Sequence, residues 1–85
     1  MQNSINKDLI RTEMIHFLSG GDEGIARTIG PDNDLKSLGI DSFRIIELVL
    51  FLERKFELPI PEAAFTPGNL RSVDSIINCA LEFAK

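Results

Sequence analysis

The sequence has one cysteine, one histidine and no apolar run long enough to cross a bilayer. A single thiol, Cys79, excludes an intramolecular disulfide framework. A small chain that leans on neither disulfides nor a metal site reads as cytosolic, and a cytoplasmic location is expected. With His16 the only imidazole, no Cys/His cluster of zinc-site spacing can be assembled. The N-terminal "MQNSINKDLIRTEM" lacks the apolar core of a signal peptide, and no segment approaches the ~20 apolar residues of a membrane span. The glycines between Ser19 and Gly30 are not followed by Gly-Lys-Ser/Thr, which excludes a P-loop. Asp32 and Asp34 lie at a calcium-loop-like spacing, but the rest of that pattern is missing. Positive charge is also scarce: 9 Lys and Arg stand against 13 Asp and Glu, for a net charge of −4. Such a surface repels phosphate backbones. It argues against nucleic acid and anionic membrane as partners, and favours partners that present a basic patch.

What is there suits one domain over residues 1–85, expected to be a monomer. A hydrophobic fraction of 44% supports one compact core, and a chain this short leaves no room for a deep active-site cleft. Four segments carry helical signals and none shows strand alternation. Ile10, Met14, Phe17 and Leu18 recur at one-face spacing and predict a first helix from about Asn6 to Leu18, ended by "SGG". A long connection follows to Ile40. Ile25, Ile29, Leu35 and Leu38 are its expected apolar anchors, and one turn is expected over Asp34 to Leu38. Asp41 is the predicted N-cap of a second helix over Ser42 to Phe56. "PIPEAAF" suggests a short third helix with Pro61 at its first position, and "TPGN" is turn chemistry. Ser72 caps the last helix, whose apolar face is Val73, Ile76, Ile77, Ala80, Leu81 and Ala84. The expected fold is all-α: a small four-helix bundle, three main helices plus one short, with a long first loop. His16 reads as a solvated helix position and Cys79 as a half-buried structural thiol.

The second helix has two stripes. At about 100° per residue, Ile45, Leu48, Val49, Leu52 and Phe56 share one arc, the core face. Phe43, Ile46 and Leu50 form a second arc on roughly the opposite side, with Glu47 and Arg54 among them and Glu53 at its flank. Such a stripe suits a helix presented to partners; the alternative is that the long first loop covers it. Ser42 follows the N-cap. Position alone makes it an ordinary first-turn residue, although the free N–H groups and dipole there also suit an attached phosphate. A role as a hydrolase nucleophile is weak, because nothing in the sequence places His16 near Ser42.

The stretch "LGIDSFRIIELVLFLERKFELPIP" resembles the acyl carrier protein family. Leu38, Gly39, Asp41 and Ser42 match the front of that family's Leu-Gly-x-Asp-Ser-Leu pattern. Glu47, Leu48, Phe56, Ile60 and Pro61 match its continuation. The resemblance is close over about Leu35 to Ile77, half the chain. It implies an acyl-carrier-protein-like fold and a carrier rather than an enzyme. Ser42 would bear 4′-phosphopantetheine through a phosphodiester, installed from coenzyme A by a holo-carrier-protein synthase, a phosphopantetheinyl transferase. The arm's thiol would hold acyl intermediates as thioesters for partner enzymes in fatty acid, polyketide or related biosynthesis. Those partners would include a ketosynthase, an acyltransferase, or an acyl- or aminoacyl-activating ligase. The recognition residues implied are Asp41, Phe43, Arg44, Ile46, Glu47, Leu50 and Glu53. Phe43 replaces the usual Leu or Met, Arg44 an acid, and Arg54 and Lys55 dilute an end that is often acidic. With the tail "EAAFTPGNLRSVDSI", these departures favour a specialised stand-alone carrier. The alternatives are an aminoacyl or peptidyl carrier working with an amino-acid-activating ligase, or an unmodified helical adaptor.

Overall fold

A computed structural model describes residues 6–84; residues 1–5, on which the absence of a signal peptide partly rests, lie outside them. The first helix, α1, spans Lys7–Ser19. It is set by Asn6, whose side chain accepts from the Leu9 N–H at 3.1 Å, so Asn6 is the cap rather than the first helical residue. Gly20 ends it at φ 66°, its N–H turned back to the His16 and Phe17 carbonyls. Ile10 and Met14 are buried, with Phe17 and Leu18 packed partly against the same core.

The long connection, expected to be loop here, holds a short helix: α2, Glu23–Ala26, capped by the Asp22 carboxylate. Four residues, one of them Gly24, give too little periodicity to read. Two of the four expected anchors are buried, Ile29 and Leu35, while Ile25 and Leu38 stay exposed. The expected turn before Gly39 is a single 3-10 turn over Lys36–Leu38. Backbone bonds stitch this loop to the entry of the last helix: the Leu35 N–H donates to the Arg71 carbonyl at 2.8 Å, and the Asp74 N–H to the Pro31 carbonyl at 2.9 Å.

The next helix, α3, spans Ser42–Phe56, with the bounds the sequence predicts. It ends on Glu57, a non-glycine residue in the left-handed region at φ 57°, before Pro59 and Pro61 bar any continuation. The predicted short third helix is instead one 3-10 turn, Glu62–Ala64, with Pro61 at its cap rather than inside it. Ala64 turns inward to the core, and the Asn69 amide closes the following turn onto the Ala64 carbonyl. The last helix, α4, spans Val73–Phe83 and starts with a reciprocal Ser72/Ser75 capping box. Val73, Ile76, Ile77, Cys79 and Ala80 are buried. Leu81 is half-buried, and Ala84 lies past the helix, exposed rather than on its apolar face.

The bundle is organised around α1, which packs against α2, α3 and α4 in turn. Its polar flanks are tied as well. Arg11 pairs with Asp74 of α4 at 2.9 Å, Lys7 donates to Asn78 of α4 at 2.9 Å, and Glu13 meets Lys55 of α3 at 3.5 Å. The C-terminal end of α1 is held by Arg44. Its Nη2 donates to the Phe17 carbonyl at 2.8 Å, its Nη1 pairs with Glu47 at 3.1 Å, and its guanidinium carbon lies 4.5 Å from the Phe17 ring centre. Phe17 in turn stacks on Phe51 of α3 at 4.7 Å. A cation at the negative end of the α1 dipole, over an aromatic face, is favourable on both counts. Among the described residues no helix is long and apolar enough to cross a membrane.

Three outcomes follow for stability. Met14→Ala removes a fully buried side chain and costs about 2–5 kcal/mol in urea unfolding, whereas Leu9→Ala, at a half-exposed position, stays within about 0.5 kcal/mol. Arg44→Ala costs about 1–2 kcal/mol, a figure discounted for its partial exposure. Arg44→Lys restores only part, because the ammonium lacks the planar fork; an Arg44→Ala midpoint equal to wild type would refute the clamp. Burial, and secondarily Glu82, raises the Cys79 pKa, so the folded state favours the neutral thiol. Stability is then full below about pH 8.5, the ordinary thiol value. It falls as pH climbs from there through the native-state pKa, because the unfolded chain releases the proton first. Urea midpoints between about pH 8 and 10 should decline more steeply for wild type than for Cys79→Ala.

Candidate functional site at the start of α3

The site begins with a sharp turn. Gly39, at φ 86°, lets the chain reverse after the 3-10 turn, and the Ile40 N–H closes back onto the Leu35 carbonyl at 3.1 Å. Asp41 then takes an extended conformation and its carboxylate accepts the Arg44 N–H at 2.9 Å. That bond satisfies one of the four N–H groups a helix start leaves open. The N–H groups of Ser42 and Phe43 remain at the mouth of the helix. Ser42 is exposed, and among the described residues its hydroxyl has no hydrogen-bond partner.

Ser42 stands at the rim of a cleft of about 470 Å³, walled by Ile45 and Ile46 on α3 and by Phe65 and Leu70 across from them. Asp34, Lys36 and Arg71 add charge to its edge. None of these residues outside α3 was legible as part of the site: they come from segments far apart in the chain, joined by the Leu35–Arg71 backbone bond. A second groove of about 450 Å³ lies between α1 and α3, lined by Phe17, Glu47, Leu50, Phe51, Arg54 and Lys55.

The two stripes of α3 are separated as the periodicity predicts. Ile45, Leu48, Val49 and Leu52 are buried, and Phe56 is half-buried against them. Phe43 and Leu50 are 73% and 43% exposed, so the long loop does not cover them. Glu53 is exposed and Glu47 half-exposed. Ile46, read with the outward stripe, is half-buried and faces the Ser42 cleft. Asp41 is engaged as the cap and Arg44 as the clamp on α1. His16 is exposed, Cys79 is buried more fully than expected, and among the described residues no group of His, Cys, Asp or Glu is placed to hold a metal ion. The exposed hydroxyl, the open N–H groups beside it and the adjoining cleft fit a bulky phosphate-linked group at this helix start.

Two curated relatives come from Bradyrhizobium diazoefficiens. Aminoacyl carrier protein 2 is 35% identical over 52 residues, covering 61% of this chain and 58% of its own length. Aminoacyl carrier protein 1 is 28% identical over 69 residues, covering 79% and 77%. The matched stretch thus spans under two thirds of the first relative. Among solved structures, the crystal structure of Bradyrhizobium japonicum glycine:[carrier protein] ligase complexed with its cognate carrier protein and a glycyl adenylate analogue contains a chain of the same fold. It superposes with a TM-score of 0.67 at 22% identity, covering 89% of this chain and 96% of that one. The phosphopantetheine attachment site family matches residues 21–79. That match takes in the long loop, all of α3 and most of α4, and the chain belongs to this family of carrier proteins, whose covalent prosthetic group is 4′-phosphopantetheine.

Proposed function

We propose that Ser42 is the attachment residue and that the cargo is an amino acid, held as a thioester and received from an amino-acid-activating ligase. The observation that carries the first half is the exposed Ser42 hydroxyl, without a hydrogen-bond partner, in the first turn of α3 at the rim of an open cleft. In the attachment step the Ser42 oxygen forms a phosphoester bond to the pantetheine-bearing phosphate of coenzyme A. The pyrophosphate linkage breaks, adenosine 3′,5′-bisphosphate leaves, and the hydroxyl proton passes to the transferase. The arm then supplies a thiol, and everything else is the work of this chain's own surface. Asp41 fixes the helix start, so that Ser42 is held outward in one orientation. Phe43, Leu50 and Glu53 offer an exposed apolar and acidic face to a docking enzyme, with Ile46, Glu47 and Arg44 at its border.

Support for an aminoacyl cargo comes from the relatives, both named aminoacyl carrier proteins, and from the carrier of like fold bound to a glycine ligase. The sequence reading put acyl cargo in fatty acid or polyketide synthesis first and the aminoacyl carrier second; the relatives favour the second. The departures on α3, Phe43 and Arg44 above all, agree with partners other than the standard fatty acid enzymes.

Intact mass spectrometry tests the attachment. Incubation with coenzyme A, Mg²⁺ and a broad-specificity phosphopantetheinyl transferase should add one phosphopantetheinyl group to wild type and none to Ser42→Ala. Ser42→Ala should melt as wild type does, because the residue is exposed. Absence of any gain on folded protein with several such transferases would reject the assignment. Supplying the modified protein with ATP, an amino-acid-activating ligase and its amino acid should add one aminoacyl mass that hydroxylamine removes. Loading by an acyl-activating ligase alone would return the cargo to the acyl class.

A further inference from the structure

Most cations among the described residues are paired, and two that have no carboxylate partner stand at the Ser42 cleft. Arg11, Arg27, Arg44 and Lys55 each pair with a carboxylate, and Lys7 bonds to Asn78. Among the described residues Lys36 and Arg71 pair with none. The Lys36 ammonium makes no bond, and Arg71 donates from Nη2 only to the Asp32 carbonyl at 3.2 Å. Both border the cleft that Ser42 opens into, in a chain whose net charge is −4. Among the described residues Asp34 is the one carboxylate lining that cleft. Its Oδ1 is turned to the Lys36 backbone N–H at 3.1 Å, where it stabilises the start of the 3-10 turn. The segments carrying the two cations are held together by the Leu35–Arg71 backbone bond. Two like charges bordering one cleft repel, and an anion between them relieves the repulsion.

We propose that Lys36 and Arg71 hold the phosphodiester of the Ser42-linked arm by charge, and so lay the arm along the apolar wall of Ile46, Phe65 and Leu70. This deepens the function proposed above and rests on the attachment at Ser42. Lys36 and Arg71 are positioning residues: they bias where the arm rests between encounters with enzymes. The cleft opens beside the attachment oxygen, has an apolar wall and carries positive charge at its edge, which matches an arm that is anionic at its root and less polar further out. Among the described residues the other cation without a polar partner, Arg54, borders the groove between α1 and α3 instead.

The test uses the phosphopantetheinylated full chain, with mass spectrometry first establishing that the arm is present. The phosphorus-31 shift of the phosphodiester is followed from about 0.01 M to 1 M salt, over which the screening length shrinks from roughly 30 to 3 Å. Backbone amide shifts are compared before and after modification. Wild type should show a salt-dependent phosphorus shift, and modification should move the amides of Thr66 to Arg71. The double variant Lys36→Gln/Arg71→Gln should lose most of both responses, Lys36→Gln alone should lose part, and Arg54→Gln should behave as wild type. Lys36→Gln removes no bond of the fold, so it reads out even where the Arg71 substitution disturbs the loop. A modified double variant whose phosphorus and amide responses equal those of wild type would overturn the proposal while leaving the attachment intact. Equal losses in Arg54→Gln would overturn it too, by showing a diffuse charge effect. A wild type that gains no mass overturns the attachment at Ser42, and this inference falls with it.

Discussion

The structure depends on the burial of one stripe of α1. Ile10 and Met14 are almost completely removed from water, and they supply the surface on which the faces of α3 and α4 meet. The helices α3 and α4 touch each other much less than each touches α1. Without α1, Ile45, Leu48 and Leu52 on one side and Ile76 and Ile77 on the other would lose the helix that packs against both. A chain of this size buries a modest share of its surface, so a single large cavity in that stripe removes a large fraction of its marginal stability. Each polar tie from α1 to α3 or α4 sits at the rim of this contact, and each is partly exposed. Such exposed ion pairs each add little stability; Arg44, held by Phe17 and Glu47 together, adds more.

The same constraint frees the other side of α3. Because the core uses only one arc of that helix, the opposite arc is left to carry Phe43 and Leu50 in water without structural cost. Surface positions of this kind tolerate substitution within about 0.5 kcal/mol, so these residues can change while the bundle stays the same. The start of α3 is held from two directions. Arg44 fixes it to the end of α1, and the loop before it is fixed to the entry of α4 by backbone bonds. The rigid helix start and the exposed hydroxyl therefore coexist: the orientation of Ser42 comes from its neighbours, and among the described residues its side chain makes no bond that the fold needs.

Those parts of the molecule set by local chemistry were legible in the sequence. The bounds of α3, its Asp41 cap, the split between its two arcs and the Ser72 cap of α4 all follow from residues within one or two helical turns of each other. What was not legible depends on residues brought together by folding. The helix α2 is too short to show a period, and "PEAAF" forms a 3-10 turn because Ala64 must reach the core across a few residues bounded by Pro61 and Phe65. Ile25 and Leu38 looked like anchors by composition, yet only Ile29 and Leu35 find room in the core. The cleft beside Ser42 joins α3 to Phe65, Leu70 and Arg71, and no spacing rule within one helix could announce it.

Arg44 shows how a departure from a family's usual spelling divides between fold and function. In the sequence it looked like a charge reversal on a face that partners read. In the structure its fork is spent on the Phe17 carbonyl and on Glu47, with the ring of Phe17 beneath it. A guanidinium engaged on three sides offers an incoming enzyme less than a free one, and it also draws Glu47 toward itself, reducing the acidic character of the helix at that point. The reversal thus has a structural cause that needs the aromatic ring and the open carbonyl of α1 in the same chain. Phe43 has no such cause. It is the most exposed large apolar side chain among the described residues, directly beside Ser42, and it is no part of the core. Of the two departures nearest Ser42, Phe43 is therefore the one whose side chain remains available to a partner.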